Sequence, residues 1–94
     1  MTIPKRIKFM GYTFQVTSET ERAEEEECYG IINYKTQTIR LYNPVSNERK
    51  AETLIHELIH LVTDFLKINL EEDDVSRLGK GLYAALKENG MLCE

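Results

Sequence analysis

In the first half of the chain apolar and polar residues alternate; in the second they recur at helical spacing. Ile7 and Phe9 lead into Met10-Gly11, which reads as a turn. Beyond it Tyr12, Phe14 and Val16 alternate with Thr13, Gln15 and Thr17, the period of a strand with one buried face. Ser18 to Glu27 contains Glu24-Glu25-Glu26-Glu27, whose like charges repel and predict a solvated loop. Strand-forming residues return over Cys28–Tyr34 and Thr38–Tyr42, with Tyr29, Ile31, Ile39 and Leu41 as apolar positions. Lys35-Thr36-Gln37 between them predicts a β-hairpin, and Asn43-Pro44 ends its second strand.

Ser46 is a good N-cap and Glu48 suits a first turn, so a helix is expected from about Asn47 to Leu66. Lys67-Ile68-Asn69 makes a short connection. A second helix should run from about Leu70 to Lys87, with Gly90 as its terminator. Val75, Leu78, Leu82, Ala85 and Leu86 give it an apolar stripe expected to enter the core. The pattern predicts an α+β fold: a small antiparallel β-sheet packed on two antiparallel α-helices. Neither a repeat nor a linker divides residues 1–94, which read as one domain.

Composition narrows the function. A chain of 94 residues buries only a modest core. Its net charge is −4 and its Lys and Arg are scattered, without the basic stripe that phosphate recognition needs, so no nucleic-acid partner is expected. Cys28 and Cys93 lie far apart and form no CxxC pair, and no apolar stretch follows the basic N-terminus as in a signal peptide. No apolar run approaches the roughly 20 residues that span a membrane. These features predict a cytoplasmic protein with no membrane partner.

The chemistry is concentrated in His56-Glu57-Leu58-Ile59-His60, an H-E-x-x-H pattern that holds the only two histidines of the chain. A helix stacks residues i and i+4 on one face, where two imidazoles can take two corners of a tetrahedral zinc. Glu57, about 100° further round the helix, can reach water on the metal without being a ligand. The helical wheel supports this assignment. Leu54, Ile55, Leu58, Ile59, Leu61, Val62, Phe65 and Leu66 share one arc, while Thr53, His56, Glu57, His60, Thr63 and Asp64 share the other. Glu52, His56, His60 and Asp64 also form an i, i+4 row. It reads either as surface charge pairing or as carboxylates that orient the ligating imidazoles.

A catalytic zinc usually keeps three protein ligands and one open position. With no third histidine, a carboxylate must serve. Glu71-Glu72-Asp73-Asp74 opens the second helix. In an antiparallel pair Asp74 climbs furthest back towards His60, and it sits one turn before Leu78 at the edge of the stripe. Asp74 is therefore the favoured third ligand, with Glu71 and Glu72 as alternates. Such acids also suit a helix N-terminus on electrostatic grounds alone.

The stretch from Glu52 to His60, the acidic turn Glu71 to Asp74, Val75-Ser76-Arg77-Leu78 and Gly81-Leu82-Tyr83 resemble the small zinc metallopeptidase-like proteins of phages and mobile elements. These are distantly similar to the ImmA/IrrE group, gluzincin-type peptidases that cleave repressors. Tyr29-Gly30 and Thr38-Ile39-Arg40-Leu41 fit the same type, so the resemblance runs from about Cys28 to Asn89. It implies a minimal zincin-like core, zinc on His56 and His60, and Glu57 as the catalytic base. The third ligand of the group is a glutamate at the start of the following helix, which falls on Asp74 in this register. A peptide or protein substrate is expected, with a repressor as one candidate, although the substrate of the larger relatives does not carry over to a chain without their DNA-binding and sensor domains. The oxyanion would be stabilised by zinc, by a backbone N–H or by a tyrosine such as Tyr83. A non-catalytic zinc-binding regulatory protein on the same scaffold is the competing class, and a partner-binding module without metal is a third.

Overall fold

A computed structural model describes residues 3–19, 30–42 and 47–92. The acidic run 20–27, Cys28, Tyr29, Asn43-Pro44, Ser46 and Cys93 lie outside the described residues. The elements are β1 (Arg6–Phe9), β2 (Tyr12–Glu19), β3 (Gly30–Asn33), β4 (Thr38–Tyr42), α1 (Asn47–Leu66) and α2 (Glu72–Glu88). The class is α+β, as the pattern of the chain predicts. β2 runs two residues beyond the expected strand and takes in Ser18 and Glu19.

Met10 and Gly11 both adopt positive φ (48° and 88°), the requirement of a tight two-residue hairpin turn, and Phe9 pairs with Tyr12 across it. The second hairpin turns through Tyr34–Gln37, where the Asn33 Oδ1 accepts from the backbone N–H groups of Lys35 (3.0 Å) and Thr36 (3.1 Å). The sheet order is β1-β2-β4-β3. Both hairpins are antiparallel, but β2 and β4 pair parallel, from Gln15↔Thr38 to Glu19↔Tyr42. The sheet is therefore mixed, not purely antiparallel as expected. The chain skips one strand position after β2, and β4 returns into that gap. Alternation tells which face of a strand is buried but not which strand lies beside it, so this order is invisible in the pattern.

The core lies between sheet and α1. Phe14, Ile39 and Leu41 meet Leu54 and Leu61, all five essentially without exposure. Phe65 extends the contact through edge-on packing against Phe9 and Tyr12, each at 5.3 Å between ring centroids. α1 ends with the Ile68 N–H donating to the Thr63 carbonyl (2.9 Å) and Lys67 at φ 55°, a left-handed stop without glycine. α2 ends as expected at Gly90 (φ 68°), whose N–H donates to Lys87 while that of Met91 donates to Leu86.

α2 folds back along α1, since Glu72 meets His60 while Gly79 lies against His56. Its contact line is narrow. Only Val75 and Gly79 are buried, and a Cβ on Gly79 would stand 3.5 Å from the His56 Cα. The expected core stripe is largely exposed instead: Leu78 by 51% and Leu82 by 46%. The line Glu72-Val75-Gly79 faces α1, and Leu78-Leu82-Ala85 is turned about 90° from it on the helix. Among the described residues no helix is long and apolar enough to cross a membrane.

Candidate metal centre

α1 carries His56 and His60 one turn apart, with ring centroids 4.9 Å from each other. Both imidazoles are partly buried, and both Nε2 atoms point at one carboxylate. Glu72 at the start of α2 sets its Oε1 2.8 Å from His56 Nε2 and its Oε2 2.8 Å from His60 Nε2. These three residues offer donor atoms within 4.8 Å of one another, so the group can bind a metal ion. Two imidazole nitrogens and a carboxylate are a donor set suited to a divalent transition metal, with room for one further ligand.

The third member is thus Glu72, one of the alternates, and not Asp74. The reason is where α2 starts. Glu71 is the N-cap, so Glu72 opens the first turn and Asp74 occupies the third position. There the Asp74 carboxylate accepts from the Glu71 backbone N–H, in a reciprocal capping box. Its other oxygen accepts from the Arg77 guanidinium at 2.7 Å. Asp73 faces outward beside Arg77. The acid-x-x-acid spacing Glu71–Asp74 is the sequence signal for this box, and it leaves Glu72 free for the histidines.

Glu57 lies where expected, beside the two imidazoles but outside the donor set. It is only 8% exposed and makes no hydrogen bond or ion pair among the described residues. Burial pushes its carboxyl up to about 7; His60 pulls it down, and Glu72 and Asp64 push it further up. β3 presses close: a Cβ on Gly30 would come within 2.8 Å of the Thr53 Cγ2 and 3.3 Å of the Glu57 Cγ. Glycine at this point lets the strand backbone approach α1 and closes one wall over Glu57.

Two cavities meet at the centre. One, of about 350 Å³, lies between β3 and the helices and is bordered by Ile31, Tyr34, Glu57, His60 and Glu72. The other, of about 370 Å³, continues along α1 past Thr53 and Glu52, with Ser76 and Lys80 on its α2 side. Tyr34 is a side chain at the centre that the sequence reading missed. Its ring packs edge-on against Phe14 at 6.2 Å, and its hydroxyl donates to the Asp64 carboxylate. Burial, together with that carboxylate, holds its hydroxyl protonated well beyond the ordinary tyrosine range. Tyr83, the tyrosine favoured from the sequence, borders neither cavity; the Lys87 ammonium stands 5.7 Å from its ring centroid. Tyr34 belongs to a turn, so no periodicity marks it. Asp64 of the i, i+4 row is engaged by Tyr34, and Glu52 only lines the second cavity. Thr63 is buried rather than on an open polar face, its hydroxyl donating to the His60 carbonyl at 3.1 Å.

The chain matches no known family profile, curated protein or solved structure.

Proposed function

We propose that the protein is a zinc-dependent peptidase of the small phage and mobile-element type that resembles the ImmA/IrrE group, acting in the cytoplasm on a peptide or protein substrate. One observation carries this reading: a buried glutamate, without a hydrogen-bond or ion-pair partner among the described residues, stands beside a His-His-Glu donor set at the edge of a sheet. His56, His60 and Glu72 would hold the zinc. When bound, zinc supplies a Lewis acid that polarises a carbonyl and makes water acidic enough to lose a proton near neutral pH.

Glu57 accepts the proton of the attacking water and hands it to the leaving amine. Its poorly solvated carboxylate, raised in basicity, suits that exchange. Tyr34 borders the same cavity, but its one hydroxyl proton is given to Asp64, so a developing oxyanion would be stabilised by the metal or by a backbone N–H. β3 is the outer strand in the order β1-β2-β4-β3, and Gly30, Ile31 and Ile32 line the centre. An extended substrate could add to that edge as a further strand, its scissile bond facing Glu57.

Elemental analysis and peptide cleavage test the reading together. The wild type reconstituted at neutral pH should carry one zinc per chain and cleave members of a broad peptide library, or candidate repressors from the same genome. Glu57→Gln should keep the zinc and lose about 10²–10⁴-fold in cleavage. Equal cleavage by both proteins would refute Glu57 as the base. Zinc binding without cleavage across such a screen would leave a metal-holding regulatory scaffold in place of an enzyme.

A further inference from the structure

The second cavity of the metal centre carries a charge that the chemistry at the metal does not use. Beyond His56 its walls are Arg49, Glu52 and Thr53 on α1 and Ser76 and Lys80 on α2. Glu72, Ser76 and Lys80 follow one another at intervals of four residues, so they share one line of α2. The metal-binding carboxylate begins that line and the lysine ends it. Gly30 and Gly79 border the same space and send no side chain into it.

Of the three cations in α2, two are engaged. Arg77 pairs with Asp73 and Asp74, and the Lys87 ammonium stands over the Tyr83 ring. Lys80 is exposed and has neither an ion pair nor a hydrogen bond among the described residues. The acids around the cavity do not call for it. Glu72 is turned to the two imidazoles, and Glu57 is buried beside them. Glu52 and Arg49 stand one turn apart on α1, where their charges offset each other. Lys80 is thus a surplus positive charge beside a cavity of about 370 Å³, on a chain whose net charge is −4. A cation at the rim of a concave site draws anions into it.

The sheet supplies a direction. Gly30, Ile31 and Ile32 of β3 line the first cavity, and of these only Gly30 reaches the second. Antiparallel pairing is the more stable mode of strand addition. A peptide added antiparallel to β3 runs from the Ile32 end towards Gly30 and leaves the strand for the second cavity. The part that enters there follows the scissile bond. Resting on the peptidase reading, we propose that Lys80 determines specificity by receiving a carboxylate from the substrate segment after the scissile bond. That carboxylate belongs to an Asp or Glu side chain or to the C-terminal end of the peptide. The contact is partly solvated, so it selects among substrates more than it adds affinity.

Binding and cleavage test this separately. Zinc-loaded Glu57→Gln protein should hold peptides without cutting them, so it reads the subsite whether or not the chain is an enzyme. The probes are random octapeptides, acetylated and amidated, in pools that carry one fixed Glu or one fixed Gln. The Glu pools should bind about two- to fivefold more tightly, the scale of one partly exposed ion pair, and the gain should shrink at high salt. Adding Lys80→Met should abolish the gain while zinc content and helix content hold. Gln pools with a free C-terminus in place of the amide distinguish a chain end from a side chain. For cleavage, zinc-loaded wild type acts on a proteome-derived peptide mixture and the cut sites are read by mass spectrometry. Acidic residues or peptide ends should be enriched after the cut, and Lys80→Glu should turn that preference towards Lys and Arg. Equal binding of Glu, Gln and free-terminus pools would overturn the carboxylate subsite. A preference that survives in Lys80→Met would overturn the residue, and acidic enrichment before the cut would overturn the antiparallel placement. Charge-dependent binding without any cleavage would instead uphold the subsite and refute the peptidase.

Discussion

Glu57 is a carboxyl group whose surroundings favour its neutral form, with consequences beyond catalysis. Its value of about 7 in the folded chain exceeds the ordinary 4.5, so the stability it contributes is complete below 4.5 and is lost as pH rises through 7. In metal-free protein this amounts to as much as about 3 kcal/mol between those limits. Glu57→Gln should therefore stabilise the metal-free chain at pH 8 and flatten its profile, which urea unfolding at pH 5 and pH 8 in chelator would measure. An unchanged profile would mean that Glu57 is well solvated. For the ligands, Glu72→Ala should weaken zinc binding by at least about tenfold, whereas Asp74→Ala should leave affinity nearly intact and cost about 1 kcal/mol of helix capping. Metal titration and thermal unfolding of the two variants separate these roles. His56, Glu57 and His60 were legible in the sequence because one helix fixes their mutual geometry. The third ligand was not, because shifting the start of α2 by one or two residues rotates a different acid towards α1. Tyr34 and Thr63 depended on contacts between elements that no local pattern encodes.

At the level of elements, the two helices and the strand alternation were legible because each follows a period of its own. The sheet order was not, and neither was the face of α2 that meets α1. Gly79 decides that face by lacking a side chain, and a periodicity count of apolar residues passes over it. The turns still carry side chains in costly conformations. Met10 and Lys67 adopt left-handed backbone at φ 48° and 55°. Both are exposed, so substitution forfeits little packing. Met10→Asn, which creates the favoured Asn-Gly turn, and Lys67→Gly should each stabilise the chain by about 1 kcal/mol. On a domain of this size that is roughly 4–8 °C in Tm, readable by calorimetry. A fall in Tm would show that these side chains hold contacts worth more than the strain. Gly30→Val should act oppositely, pushing β3 off Thr53 and Glu57 and lowering stability.

For the molecule as a whole, the core is one sheet face against one helix, so a ligand that joins the helices weighs heavily on stability. Zinc that binds only the folded chain should add about 2.7 kcal/mol at a free concentration one hundred times its Kd. Chelator should remove that gain. Acid should remove it too, because protons compete for the two imidazoles. Thermal scans with zinc, with chelator and at reduced pH check all three. An unchanged Tm with added zinc would argue against a site on the folded chain.

Because α2 commits only Val75 and Gly79 to the buried interior, its two ends are held very unequally. Glu72 ties the first turn to two side chains of α1, whereas the last turns rest on half-exposed residues. Such a segment is suited to lift away as a unit long before the sheet and α1 let go. Amide hydrogens of α2 should then exchange with solvent faster than those of α1, and a bound metal should slow them selectively. Deuterium uptake followed peptide by peptide, with and without zinc, would reveal whether the helix that completes the centre is also its door.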